Sequence, residues 1–131
     1  DAGSLYNTPN AYCIYMCGKV FKWLKKMGGL EVMKARNEEK AAILYNFLDE
    51  SQMFKGTVRK EDRSLMNVPF VTGNDELDGE FVKAAEKAGF VNLKGHRSVG
   101  GMRASIYNAM PMEGVRALVE FMKKFEEEHH V

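Results

Sequence analysis

Cysteine is scarce in this sequence. Of its 131 residues only Cys13 and Cys17 are cysteines, and they stand four apart in one helical stretch. That leaves no second pair for a disulfide framework and too few ligands for a cysteine-based zinc site, so both are expected to be reduced packing residues. Net charge is almost absent as well. Lys and Arg total 19 against 18 Asp and Glu, a balance of +1, so no global field draws the chain to nucleic acid or to an anionic membrane surface, and any anion site must be local. No apolar run approaches the ~18 residues a bilayer span requires, and no charged-then-apolar leader opens the chain. The sequence therefore points away from nucleic-acid and membrane partners and towards a reducing cytoplasm. Repeats, linkers and low-complexity tracts are also missing.

What is present is the composition of one soluble globular domain, 45% hydrophobic and 28% charged, with enough chain to bury a core. It opens on Asp1-Ala2-Gly3-Ser4 rather than methionine. Such a start suits a processing remnant, an expression scar or an interior stretch of a longer protein, and the expectation is a fragment.

Thr8-Pro9 has the form of a helix start, since a threonine hydroxyl caps a free N–H and proline suits the first helical position. The periodicity then predicts a helix to about Met27 with Ile14, Cys17, Phe21 and Leu24 buried, stopped by Gly28-Gly29. A second helix, from about Leu30 to Glu50, is expected to bury Leu30, Met33, Ala41, Leu44 and Leu48, with Arg36 to Lys40 on its solvent face. Phe54–Val58 and Met66–Val71 read as strands, with Pro69 at an edge or irregular position. Asn74 caps a third helix that turns Leu77, Phe81, Ala84 and Ala88 inward and stops at Gly89. Phe90–Leu93 and Met102–Ile106 read as two more strands. Pro111 opens a last helix with Val115, Leu118, Val119, Met122 and Phe125 at core spacing. Its acidic end, Glu126-Glu127-Glu128, opposes the helix dipole and predicts fraying. The order ααββαββα predicts an α+β fold of two layers, helices on a small, mostly antiparallel sheet.

The stretch richest in chemistry is Lys94-Gly95-His96-Arg97-Ser98-Val99-Gly100-Gly101-Met102-Arg103, with four potentially cationic side chains and three glycines in ten residues. Glycines let the backbone turn and expose N–H groups, while Arg97 and Arg103 offer forked donors that match carboxylate or phosphate oxygens. Arg103 begins a strand and His96 and Arg97 precede it in a loop, so two anionic groups of one ligand can be gripped separately. On local chemistry alone a solvated turn explains the same residues. The opening Ser4-Leu5-Tyr6-Asn7-Thr8-Pro9 is a second candidate, as a phosphate site at a helix N-terminus, against the plain capping role of Thr8. Cys13 has no histidine beside it in sequence, His129 and His130 are too few for a structural metal site, and Trp23 and Tyr107 read as packing residues.

The run Gly95-His96-Arg97-Ser98-Val99-Gly100-Gly101-Met102-Arg103-Ala104-Ser105-Ile106-Tyr107-Asn108-Ala109-Met110-Pro111 resembles the signature of phosphoserine aminotransferases. Leu5-Tyr6-Asn7-Thr8-Pro9, Trp23-Leu24-Lys25, Gly28-Gly29 and Arg63-Ser64-Leu65-Met66-Asn67-Val68-Pro69-Phe70 resemble the same family in the same order. The resemblance implies residues 1–131 as the C-terminal small domain of a class V, fold-type I pyridoxal-phosphate aminotransferase, with residues 1–8 as the segment from the large domain. It further implies a cytoplasmic homodimer moving an amino group between L-glutamate and 3-phosphohydroxypyruvate, giving 2-oxoglutarate and O-phospho-L-serine for serine biosynthesis. By the same resemblance Asn7 and Thr8 reach the phosphate of pyridoxal 5'-phosphate in the neighbouring subunit, and Arg103 binds the substrate α-carboxylate. His96 and Arg97 hold the distal phosphate, or the side-chain carboxylate of glutamate, again across the dimer.

Transamination also needs a lysine that forms a Schiff base with the cofactor and an acidic partner for the pyridinium nitrogen. The resemblance places both upstream of Asp1, so no catalytic residue and no metal site are expected in this chain, which alone should be inactive and hold no cofactor. Its expected partners are its own large domain, a second identical subunit, and small anionic amino-acid and keto-acid substrates. A free-standing anion-binding or regulatory module derived from this domain is the alternative, and a nucleic-acid role is a distant third because the cations sit in one loop.

Overall fold

The computed structural model describes residue 3 and residues 6–129, so the expectations that rest on Ser4, Leu5 and His130 lie outside the described residues. The chain divides into two compact units, Asp1–Ala35 and Arg36–Val131.

In the first unit, helix α1 spans Ala11–Lys26, and its cap is Asn10, whose Oδ1 accepts from the Cys13 N–H at 3.1 Å. The start expected at Thr8-Pro9 is therefore displaced. An asparagine amide oxygen is a strong N-cap, and it leaves Pro9 one position before the cap, outside the helix. The expected buried stripe is also corrected: α1 buries none of its residues, with Ile14 63% and Phe21 65% exposed and Leu24 half-buried. Cys13 and Cys17 are free thiols but exposed, not packed. Trp23 and Leu30, both expected inside, are exposed too, and among the described residues of this unit Met33 alone is buried.

Helix α2, Gly29–Glu50, crosses the boundary between the units. From Ala41 onward it sends Leu44, Tyr45, Phe47 and Leu48 into the core of the second unit. The polar run before it is not simply a solvent face. Asn37 and Lys40 are buried, because they share the helical face of Ala41, Leu44 and Leu48. The Lys40 Nζ donates to the Tyr107 and Met110 carbonyls at 2.8 and 3.2 Å, and the Asn37 Nδ2 donates to the Asn108 Oδ1 at 2.7 Å. Burial, aided by Arg36, pushes the Lys40 ammonium below its ordinary pKa.

The sheet has three antiparallel strands, β1 (Lys55–Gly56), β2 (Asn67–Val71) and β3 (Met102–Ser105), in the order β1-β2-β3, with a 3-10 turn at Lys60–Asp62. Pro69 consequently sits in the central strand rather than at an edge. The Pro69–Arg103 pair faces apart, since the Arg103 N–H donates to the Leu93 carbonyl at 2.7 Å, away from β2. The missing Pro69 N–H thus falls on the side of β1, opposite Thr57, which lies just past the last residue of β1 and still donates its N–H to the Pro69 carbonyl at 3.4 Å. The strand expected over Phe90–Leu93 is absent. Asn92 has φ 62°, a left-handed conformation that interrupts any extended run, and only Lys94 bridges to Met102.

Helix α3, Asp75–Lys87, begins as its sequence indicates, the Asn74 Oδ1 accepting from the Glu76 and Leu77 N–H groups at 2.9 and 3.2 Å. Phe81 and Ala85 are its buried apolar residues, and Ala88 is exposed rather than inward because the helix has already ended. Helix α4, Met112–Glu128, buries Val115, Leu118, Val119, Met122 and Phe125 as expected. Its end does not fray at Glu126. That carboxylate is buried and accepts from the Ser51 hydroxyl and the Gln52 and Met53 N–H groups at 2.8, 2.7 and 3.0 Å, which satisfies the turn after α2. Phe54 is the hub of the core, its ring centroid 5.0 Å from Phe81 and 6.0 Å from Phe70. The second unit is a two-layer α+β arrangement, with helices covering the face of the sheet that carries Val68, Phe70, Met102 and Ala104.

Candidate functional site

Two short backbone runs position the cationic loop. Leu93–Gly95 and Gly101–Arg103 lie antiparallel, joined by Arg103 N–H to Leu93 C=O at 2.7 Å and Gly95 N–H to Gly101 C=O at 2.8 Å, so residues 96–100 project as a loop. The loop folds back on the His96 carbonyl, which accepts from the Val99 and Gly100 N–H groups at 2.9 and 2.8 Å. Gly95 admits no side chain, since a Cβ there would stand 2.0 Å from the Gly100 oxygen, and Gly101 combines φ 60° with close contact to Phe70 and Val71.

His96 and Arg97 are exposed on this loop, and among the described residues Arg97 meets no acidic partner. Arg103 is positioned by β3, whose alternation sends Met102 and Ala104 into the core and Arg103 and Ser105 to the opposite face. Its Nε is shielded from solvent and has no hydrogen-bond partner among the described residues. Arg63 makes the contrast. Its Nε is also orphaned, but its guanidinium lies over the Tyr45 ring at 4.5 Å and its Nη1 donates to the Asp49 Oδ2 at 3.0 Å. Hydrogen bonds from Arg63 and then Lys60 hold the Asp49 carboxyl well below the usual carboxylate range. Arg63 is thus paired with a carboxylate, whereas the half-buried Arg103 meets no acidic partner among the described residues.

Beside Arg103 runs a polar strip that the sequence did not disclose. The Ser105 hydroxyl and the Tyr107 hydroxyl both donate to the Asn67 Oδ1, at 3.1 and 3.3 Å. Tyr107 is 55% exposed, so its expected packing role is replaced by a surface one. The Lys40 and Asn37 contacts pin the turn that follows it. The Ser98 hydroxyl lies 2.7 Å from the His96 Nδ1. Only the closeness of Ser98 to His96 in sequence hinted at this.

Asn7 and Thr8 are exposed in the segment before α1, in the first unit. Because Asn10 caps the helix, the Thr8 hydroxyl is not engaged in capping. His129 has both ring nitrogens occupied, Nδ1 by the Phe125 carbonyl at 2.8 Å and Nε2 by Glu80 at 3.2 Å, and it stacks on Phe125. Hydrogen bonding to that carbonyl, and then to Glu80, raises its pKa.

Residues 1–118 match the family model of class-V aminotransferases. A phosphoserine aminotransferase of Lactiplantibacillus plantarum is 57% identical over 126 residues, covering 96% of this chain and 35% of its own length. The solved phosphoserine aminotransferase of Bacillus circulans subsp. alkalophilus superposes with a TM-score of 0.94 at 49% identity, over 98% of this chain and 36% of that one. A phosphoserine aminotransferase of Trichomonas vaginalis, solved with PLP bound, gives 0.84 at 43% identity over 91% of this chain and 34% of that one. The chain thus spans about a third of the length of the relatives it matches, 35% in the case of the L. plantarum protein.

Proposed function

Since the chain belongs to the class-V aminotransferase family, we propose that it is the C-terminal domain of a phosphoserine aminotransferase, with residues 1–8 leading in from a larger domain. The full-length enzyme then transfers an amino group between L-glutamate and 3-phosphohydroxypyruvate, yielding 2-oxoglutarate and O-phospho-L-serine, as a pyridoxal-phosphate-dependent homodimer of the cytoplasm.

The observation that carries this reading is the half-buried Arg103, which meets no acidic partner among the described residues, beside a loop that offers His96 and Arg97 to solvent. Both amino-acid substrates have an α-carboxylate at one end and a second anion at the other. Arg103, fixed on β3, takes the α-carboxylate through its forked donors, and the polar strip of Asn67, Ser105 and Tyr107 lies on the same face to orient it. His96 and Arg97 hold the distal phosphate or the glutamate side-chain carboxylate. One pair of subsites thereby serves both half-reactions.

Bound pyridoxal phosphate supplies the electron sink for transamination. The residues here fit a contact with its phosphate, since Asn7 and Thr8 present an exposed amide and a hydroxyl that the helix cap does not use. They do not fit the role of its lysine anchor. Lys40 is buried against two carbonyls, and the other lysines are all exposed. The 131-residue chain by itself is accordingly expected to show no turnover of phosphoserine and 2-oxoglutarate.

The test is Arg103→Ala in the full-length enzyme. Loss of a charged hydrogen-bond partner should lower kcat/KM for glutamate and for phosphoserine alike by about ten- to a hundredfold. Unchanged kinetics for both would refute the carboxylate role.

A further inference from the structure

We infer that Ser98 is a positioning residue that fixes the tautomer of His96, so that the neutral ring presents Nε2–H to the distal anion of the substrate; the anion part rests on the function proposed above. Two donors converge on one ring nitrogen. The Ser98 backbone N–H donates to the His96 Nδ1 at 3.3 Å, and the Ser98 hydroxyl lies 2.7 Å from the same atom.

A backbone N–H can only donate, so Nδ1 must accept, and the hydroxyl completes the arrangement as a second donor. The proton of the neutral imidazole then sits on Nε2. That nitrogen has no hydrogen-bond partner among the described residues, on a side chain exposed beside Arg97. The opposite tautomer would turn a lone pair towards an incoming phosphate or carboxylate and repel it.

The backbone holds the pair in place. The His96 carbonyl accepts from the Val99 and Gly100 N–H groups at 2.9 and 2.8 Å, closing the turn that brings Ser98 to the Nδ1 edge of the ring. The serine therefore acts through the histidine, without touching the substrate itself. A threonine would keep both donors, whereas an alanine would keep only the longer one.

The test joins a readout of the tautomer to one of binding. The ring 15N shifts of His96 are recorded in the chain at about pH 8.5, above the ordinary histidine range, and kinetics are measured in the full-length enzyme. Wild type should show an unprotonated Nδ1 and a protonated Nε2. Ser98→Ala should move those shifts towards a tautomer mixture and raise KM for phosphoserine and glutamate about three- to tenfold with little change in kcat. Ser98→Thr should restore both.

A protonated Nδ1 in wild type would overturn the inference. So would Ser98→Ala leaving shifts and KM unchanged while His96→Ala raises KM. If Ser98→Ala shifts the tautomer but neither it nor His96→Ala affects KM, the assignment of His96 to the distal anion fails, and the positioning role falls with it.

Discussion

Helices α1 and α4 are nearly the same length, 16 and 17 residues, and both carry apolar residues at helical spacing, yet their outcomes differ. In α4 the stripe Val115, Leu118, Val119, Met122 and Phe125 is buried, and even Glu126 beside it finds three donors. In α1 nothing is buried, and Ile14, Phe21 and Val20 lie open to solvent. Periodicity reports that a helix has a face suited to burial. It does not report whether the cover is in the same chain. A chain that is about a third of its relatives' length is where such a face is expected to be bare.

The strongest way to sharpen this contrast is a pair of phenylalanine truncations in the chain itself. Phe81→Ala, at the centre of the aromatic core, should cost about 3–5 kcal/mol in denaturant unfolding, whereas Phe21→Ala in α1 should stay within about 0.5 kcal/mol. Equal costs would break the comparison. A smaller effect is expected from lysines. Lys40→Met strands the Tyr107 and Met110 carbonyls and should cost about 1–3 kcal/mol, while Lys22→Met on α1 should be near neutral by the same measurement.

The smallest effect is on pH dependence, and both of its arms belong to the second unit. The folded pKa of Asp49 is depressed, so its contribution is present above the ordinary carboxylate range near 4 and fades as pH falls below it. The folded pKa of His129 is raised, so its contribution is present below about 6.5 and is lost as pH rises through the raised value. Unfolding midpoints against pH should show Asp49→Asn flattening the acid arm and His129→Gln the alkaline one, with substitutions in α1 moving neither.

Much of the fold could be read from local signals. Asn74 capping α3, Pro111 opening α4 and the α4 core stripe all follow from side chains acting within a turn or two of themselves. What escaped was decided by distant partners. Lys40 and Asn37 are buried because the turn after β3 offers acceptors some 70 positions away. Pro69 is central because β1 and β3 pair with β2 from either side, and it is tolerated there because β1 stops at Gly56. Asn92 breaks a run whose composition suits a strand, through a backbone angle that composition does not encode.

From residue types alone the cationic loop was legible as a candidate anion grip that a solvated turn would explain as well, and the structure places its side chains on two different elements. Arg103 is held on a strand with an orphaned Nε, and His96 and Arg97 ride the projecting turn. The Ser98 contact to His96 and the Asn67, Ser105 and Tyr107 strip were not legible. Serine, asparagine and tyrosine at such spacing occur in any loop or edge, and only the backbone geometry selects them.

The central claim is that these two elements grip two different anions of one substrate. Its most direct test is single-turnover kinetics of the full-length enzyme with O-phospho-L-serine and with L-serine, which keeps the α-carboxylate but lacks the distal phosphate. Arg97→Ala should reduce the rate constant for phosphoserine over KM by about tenfold or more and leave serine nearly unchanged, whereas Arg103→Ala should impair both. If Arg97→Ala weakened the two substrates equally, or Arg103→Ala spared serine, the separate-subsite account would be contradicted.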